Sequence, residues 1–299
     1  MKTWKHLIMT ATFHELSNSE IKSLSLRPDG MFSNVNEVVE QLRLANNSGY
    51  KFQIDWSSSC YRDEARLEDP WSYYFLPCFE FAEQNHEILE SIPNGGPVTC
   101  TQENIITPRL EDGKMDPLLL PHDRHGAHDI IERYIRPRAD VLDLVDQFQA
   151  SNFRSPVIGL HIRGQGRRDG GVSRMRKRYN SENQVPYQPF FAQTDEALRL
   201  LPSAQIFVCS DSSTVIEHVQ ERYGERVISW NAQRSPFGEM HAHHSENKGL
   251  EFSPYQLGLD ILVEALLLSR TDIFVHGNSN VANFVLCKSP DLIHAYVQA

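Results

Sequence analysis

No long hydrophobic run interrupts this chain. The most apolar stretch, Leu250 to Leu268, carries Glu251, Asp260 and Glu264, so nothing supplies the roughly 20 apolar residues of a membrane span. Met1 to Phe13 holds only the brief run Leu7-Ile8-Met9, too short for the apolar core of a signal peptide. Cysteine is scarce: Cys60, Cys78, Cys100, Cys209 and Cys287 are scattered, odd in number and lack any Cys-x-x-Cys spacing, which excludes a disulfide framework and the common zinc and redox motifs. The expected location is the reducing cytoplasm, where the sequon Asn46-Asn47-Ser48 has no meaning. Positive charge is also short. With 29 bases against 39 acids the formal net charge is -10, which repels a polyanion and removes nucleic acid as a default partner. There is no internal repeat and no low-complexity segment.

Present instead are 299 residues, 40% hydrophobic and 23% charged, enough for one large or two medium globular domains. From Ser155 onward short apolar runs alternate with helix-length patterns, the signature of a parallel sheet covered by helices. Strands are expected at Pro156–Ile162, Ala204–Ser210, Arg226–Ser229 and Asp272–His276. Helices are expected at Phe190–Leu201, Ser212–Tyr223, Tyr255–Ser269 (amphipathic) and from Ser279 to Leu286. In the first half, Lys22–Leu26 and Lys51–Asp55 read as strands around a helix at Asn34–Leu44, and His128–Phe148 as one helical run. Prolines at 70, 77, 93, 97, 108 and 117 keep Ser57 to Leu120 loop-rich. The domain boundary falls near Gln149 to Ser155, giving domains 1–150 and 151–299.

Three strand-end loops carry chemistry, because ligands of open α/β sheets sit beyond the carboxyl ends of the strands. In the first, His161-Ile162-Arg163 leads into Gly164-Gln165-Gly166-Arg167-Arg168, and Arg174, Arg176, Lys177 and Arg178 follow. Glycines let the backbone come close to a ligand, and guanidinium groups bind phosphate by paired, charge-assisted hydrogen bonds. The third glycine and following helix of a dinucleotide fingerprint are missing, which disfavours a dehydrogenase. In the second loop, Ser210-Asp211-Ser212-Ser213, Asp211 either accepts from a ribose or base or belongs to a helix start. In the third, Asn278-Ser279-Asn280 opens a helix whose free amides and positive dipole end suit a phosphate.

Asp260 and Glu264 lie four apart on one helix face, either holding a ribose hydroxyl or facing water. His241-Ala242-His243-His244 matches no zinc spacing and reads as contact with a polar ligand from a loop. No metal site is expected.

Together, His161-x-Arg163, the Ser-Asp-Ser strand end, and Leu266-Leu267-Leu268-Ser269-Arg270-x-Asp272 followed by Asn278-Ser279-Asn280 resemble the GT-B fucosyltransferase superfamily. The nodulation α1,6-fucosyltransferases and the protein O-fucosyltransferases belong to it. Gly30-Met31-Phe32-Ser33-Asn34 is similar to the glycine-rich loop of the latter, whose asparagine faces the cleft, and Trp71-Ser72-Tyr73-Tyr74-Phe75 is similar to an aromatic segment of bacterial relatives. The resemblance implies an α/β fold of GT-B type, two Rossmann-like domains facing a cleft, with the N-terminal one on the acceptor side and the C-terminal one binding a nucleotide sugar.

It further implies an inverting, metal-independent transfer of fucose from GDP-fucose to a glycan in polysaccharide assembly, with no cofactor besides the donor. Arg163 is the implied catalytic residue, on the β-phosphate. His161, Asp211, Ser279, Asn280 and Asn34 are the implied donor-site residues, and Gly164, Arg167, Arg168, Asn278 and Glu264 join them as candidates on the loop and helix readings above. Where the superfamily pattern has a second arginine directly after the first, this chain has Gly164, with Arg167 and Arg168 displaced. Either a displaced arginine swings back or another GDP-sugar, such as a rhamnose or mannose derivative, is used. A degenerate protein that binds nucleotide sugar or glycan without transfer is the alternative. Asp55 and Glu37 are the candidate general bases, and Trp56, Trp71, Tyr73 and Tyr74 either stack on acceptor sugars or fill the core.

Overall fold

A computed structural model describes residues 10–15, 22–48, 51–79, 98–99, 121–154, 156–163, 187–236, 238, 240 and 251–297. The N-terminal strands are β1 (Thr10–Glu15), β2 (Lys22–Ser25), β3 (Phe52–Asp55) and β4 (Val98–Thr99), with α1 (Met31–Ser48) crossing between β2 and β3. They form a sheet in the order β3-β2-β1-β4. The α1 crossover makes β2 and β3 parallel, whereas β1 runs antiparallel to both of its neighbours.

The second sheet is parallel throughout, in the order β7-β6-β5-β8-β9. Its strands are β5 (Val157–His161), β6 (Gln205–Cys209), β7 (Val227–Ile228), β8 (Ile273–His276) and β9 (Ile293–Tyr296). Because successive side chains point to opposite faces, β5 feeds two separate cores. Val157 joins Phe207, Cys209 and Phe274 in the cluster shared with the N-terminal half, while Ile158 and Leu160 join Ile206, Val208, Ile273 and Val275 in the other. A strand buried on both faces explains the uninterrupted apolar run at 157–162. The second core is closed by α5 (Tyr187–Leu200) and α6 (Ser213–Tyr223).

The opposite face is covered by α7 (Pro254–Leu268) and α8 (Asn280–Lys288), against which α4 (Ala139–Asn152) and α3 (Pro121–Tyr134) pack. Ser253 caps α7 by accepting from the Gln256 amide at 3.3 Å, ahead of Pro254 at the first helical position. The expected amphipathic helix is in fact enclosed on nearly all sides, with Leu262, Leu267 and Leu268 fully buried. Each such leucine contributes about 1.5–3 kcal/mol, enough to offset two carboxylates on the same helix.

The expected run from His128 to Phe148 is two helices, α3 and α4. Pro137 breaks it: proline has no amide to donate and pushes the preceding residue out of the helical region, and Pro137 instead bridges to Phe75. That bridge seats the short α2 (Trp71–Tyr74), which packs on α7. Trp56, Trp71, Tyr73 and Tyr74 are all buried there, so they are core and not a sugar platform.

Candidate functional site

In the second sheet the chain leaves β5 in opposite directions, to β6 and β7 on one side and to β8 and β9 on the other. The strand ends at such a switch point leave a crevice. Here it is a cavity of about 470 Å³, lined by His161 and Arg163 after β5, Ser210 and Asp211 after β6, Ser279 and Asn280 after β8, and the start of α1 at Asp29–Ser33.

Ser279 caps α8, its hydroxyl oxygen accepting from the Ala282 amide at 3.0 Å. The amides of Asn280 and Val281 therefore have no intrahelical acceptor, and both residues line the cavity. The first turn of α1 enters from the other sheet, and its Met31 amide donates to the Tyr61 hydroxyl at 3.0 Å. Phe32 and Phe284 pack with ring centroids 4.5 Å apart, so the two helix starts are held side by side. Two positive dipole ends and the Arg163 guanidinium thus converge on one space, the electrostatics of an anion site. His161 is buried, its Nδ1 lying 3.4 Å from the Ser279 hydroxyl. Burial, and next the charge of Arg163, lower its pKa to about 4, so the ring is neutral at neutral pH and adds no charge of its own.

The cavity wall formed by α7 is a buried ionic network. Asp260 accepts from Trp230 Nε1 at 2.9 Å, from the Gln233 amide at 2.8 Å and from Gln256 Nε2 at 2.8 Å. Glu264 pairs with Arg234, which also donates to the carbonyls of Ser210, Ala232 and Trp230. Burial pushes the Glu264 carboxyl up to about 8, against the pull of Arg234 and with the help of Asp260 and Asp211. Neither acid faces water as one sequence reading had it: Asp260 is 3% and Glu264 8% exposed.

The other expected residues fall differently. Asn34 does not line the cavity; it is fully buried and donates to the carbonyls of Arg27 and Asp29 at 3.0 and 3.1 Å, shaping the loop that does. Asn278 is half-buried and does not line the cavity. Asp55 and Glu37 also lie off the lining: Asp55 accepts from Ser25 and from the Ser57 amide, and Glu37 is buried 3.8 Å from Arg27. Gly164, Arg167, Arg168, the basic run to Arg178 and His241–His244 lie outside the described residues. Arg234 and Tyr61 were missed, because each acquires its place only when distant segments meet.

A sequence profile of the family Nodulation protein Z (NodZ) matches residues 118–287, more than half of the chain. The chain belongs to the NodZ family. Nodulation protein Z of Bradyrhizobium diazoefficiens is 24% identical over 284 residues, covering 78% of this chain and 69% of the relative. The crystal structure of NodZ α1,6-fucosyltransferase co-crystallised with GDP superposes with a TM-score of 0.51 at 17% identity, 91% of each chain being covered. The form soaked with GDP-fucose superposes with a TM-score of 0.50 at 16% identity, over 91% of each chain. The fold is therefore GT-B, and this NodZ-family chain is a glycosyltransferase. Among the described residues of this NodZ relative, no helix is long and apolar enough to cross a membrane.

Proposed function

We propose that this protein transfers fucose from GDP-fucose to a glycan, with inversion and without a metal ion. The observation that carries the reading is the convergence of Arg163 with the capped but open start of α8 on the cavity at the sheet's switch point. Breaking a glycosyl–phosphate bond leaves negative charge on the departing β-phosphate. A guanidinium and preorganised amides stabilise that charge as it grows. Arg163 takes the leaving phosphate, Asn280 and Val281 amides complement it, and neutral His161 holds Ser279 in place. The buried wall of Asp260, Glu264 and Arg234, with Asp211 beside it, lies across the cavity for the nucleoside. Gly164, Arg167 and Arg168 supply further donor contacts.

The N-terminal half, residues 1–150, receives the acceptor, with Asp29 the carboxylate it brings to the cavity. The four described cysteines are free thiols, in keeping with a reducing, cytoplasmic setting, and polysaccharide assembly is the process we propose this transfer serves.

Replacing Arg163 by alanine is expected to lower the transfer rate by about 10²- to 10³-fold, the loss on removing one donor to a developing oxyanion. The test is sugar transfer and donor hydrolysis from GDP-fucose alongside calorimetric titration with GDP. An Arg163→Ala protein as fast as the wild type would remove Arg163 from the reaction. Tight GDP binding with neither hydrolysis nor transfer would remove the activity itself.

A further inference from the structure

Behind the cavity, on the far side of β8, three side chains from three elements form a chain of contacts. Arg124 of α3 places Nη1 3.1 Å from His294 Nε2. His294 of β9 places Nδ1 3.2 Å from His276 Nε2. His276, the last residue of β8, places Nδ1 3.0 Å from the carbonyl oxygen of Gly277.

The direction of this chain follows from chemistry. A guanidinium has only donors and stays charged, so His294 Nε2 is bare and accepts. Its proton is then on Nδ1, which donates to His276 Nε2. The His276 proton is left on Nδ1 and donates to Gly277. No other placement of protons satisfies all three contacts, and the placement needs both rings neutral. Burial supplies that condition, lowering the pKa of His276 to about 3 and that of His294 to about 4.

The chain ends on the loop that precedes α8. Gly277 is two residues from Ser279, which caps that helix at the cavity. From the other side the loop is pinned by Phe190, whose Cζ would stand 3.1 Å from a Cβ at position 277. Meanwhile Arg124 is 6% exposed and its Nε has no hydrogen-bond partner among the described residues. A guanidinium in that setting is costly, so His294 is an important part of its surroundings.

We propose that Arg124, His294 and His276 are positioning residues, a one-way donor relay that holds the Gly277 carbonyl and so aims the start of α8 at the leaving phosphate. The relay rests on the phosphate role given above to α8. Outer partners that orient ligating groups are worth about 10- to 100-fold in metal sites, and the same order is expected here.

The test combines ¹⁵N imidazole spectra and amide hydrogen exchange of the ligand-free protein with GDP titration. The wild type should show both histidines protonated at Nδ1. Arg124→Met should strip the donor from His294 Nε2 and shift the ¹⁵N resonance of that bare nitrogen downfield, speed exchange at 279–282 and weaken GDP binding about tenfold. Arg124→Lys, which keeps a cationic donor, should restore all three readouts. If Arg124→Met does not fold, His294→Met carries the test: its thioether is at most a weak acceptor for Arg124 and has no donor for His276, so it should weaken GDP binding alike.

Arg163→Ala separates this relay from the nucleotide reading, since it should weaken GDP binding while leaving both tautomers unchanged. If the wild type binds no GDP, the nucleotide reading falls and the relay stands or falls on tautomers and exchange. A His294 protonated at Nε2 in the wild type, or unchanged exchange at 279–282 in Arg124→Met, overturns it.

Discussion

Arg234 spends its guanidinium on the protein itself, on three backbone carbonyls and on Glu264. Removing Arg234 leaves three backbone carbonyls and the Glu264 carboxyl without that donor, at a cost of about 1–3 kcal/mol for a buried group left unsatisfied. Arg234→Met, which keeps the apolar stem, should lose stability in that range by urea unfolding, and a loss below about 1 kcal/mol would mean that the pair is effectively solvated. Nothing in Gln233-Arg234-Ser235-Pro236 announces this role, because its partners at Ser210 and Glu264 come from other elements. Arg163 and Ser279 were legible for the opposite reason. A polar residue directly after a buried apolar run stands at a strand end whatever the details of the fold.

Helix α7 carries a glycine in its second turn, Gly258, that helix propensity alone would replace. A Cβ at Gly258 would stand 2.2 Å from the Tyr74 hydroxyl, which donates to the Tyr255 carbonyl at 2.8 Å while the two rings stack. Gly258→Ala should therefore destabilise by about 1–3 kcal/mol, the usual cost of overpacking. Gly126, in α3, has nothing within 4 Å of such a Cβ, so Gly126→Ala should stabilise by up to about 1 kcal/mol. Thermal melts of the two variants against wild type decide the matter; shifts of the same sign would discount the close approach of α2 to α7. The central strands of the second sheet, β5, β6 and β8, were readable because both of their faces are covered and their apolar runs are short and sharply bounded. Among the described α-helices and β-strands, four escaped the sequence. Thr10–Glu15, Val98–Thr99, Trp71–Tyr74 and the edge strand Ile293–Tyr296 are short or lack a clear apolar period, and pairing with neighbours completes them.

For the whole molecule, the buried histidines couple stability to pH. His276 has an ordinary pKa in the unfolded chain and one of about 3 when folded. Between those values the unfolded state binds a proton that the folded state refuses, so the ring's contribution is complete above about pH 6.5 and is lost as the pH falls. One proton is worth about 1.4 kcal/mol per pH unit. Between pH 6.5 and 5 the wild type should thus lose up to about 2 kcal/mol more than His276→Phe, measured by urea unfolding at both pH values. Equal losses would show that the ring is not buried in its neutral form. Glu264 works in the opposite sense: held protonated to about 8, it costs stability as the pH rises above the unfolded carboxylate range. Taking the difference between two chains that both carry Glu264 isolates the histidine.

By itself the sequence determined the class of fold, the order of strands and helices from residue 155 to Lys288 and the strand-end loops that line the cavity. Those follow from apolar periodicity and from which residues start helices, both local properties. Only the tertiary structure decided that Asp260 and Glu264 are buried, that Asn34 supports the cavity without lining it, and that α1 brings a second helix start to that cavity. It also decided that Arg124 reaches the α8 loop through two imidazoles. Each of these depends on segments far apart in the chain arriving within hydrogen-bond distance, and a hydrogen bond across 30 or 170 residues leaves no period or spacing for a sequence to show.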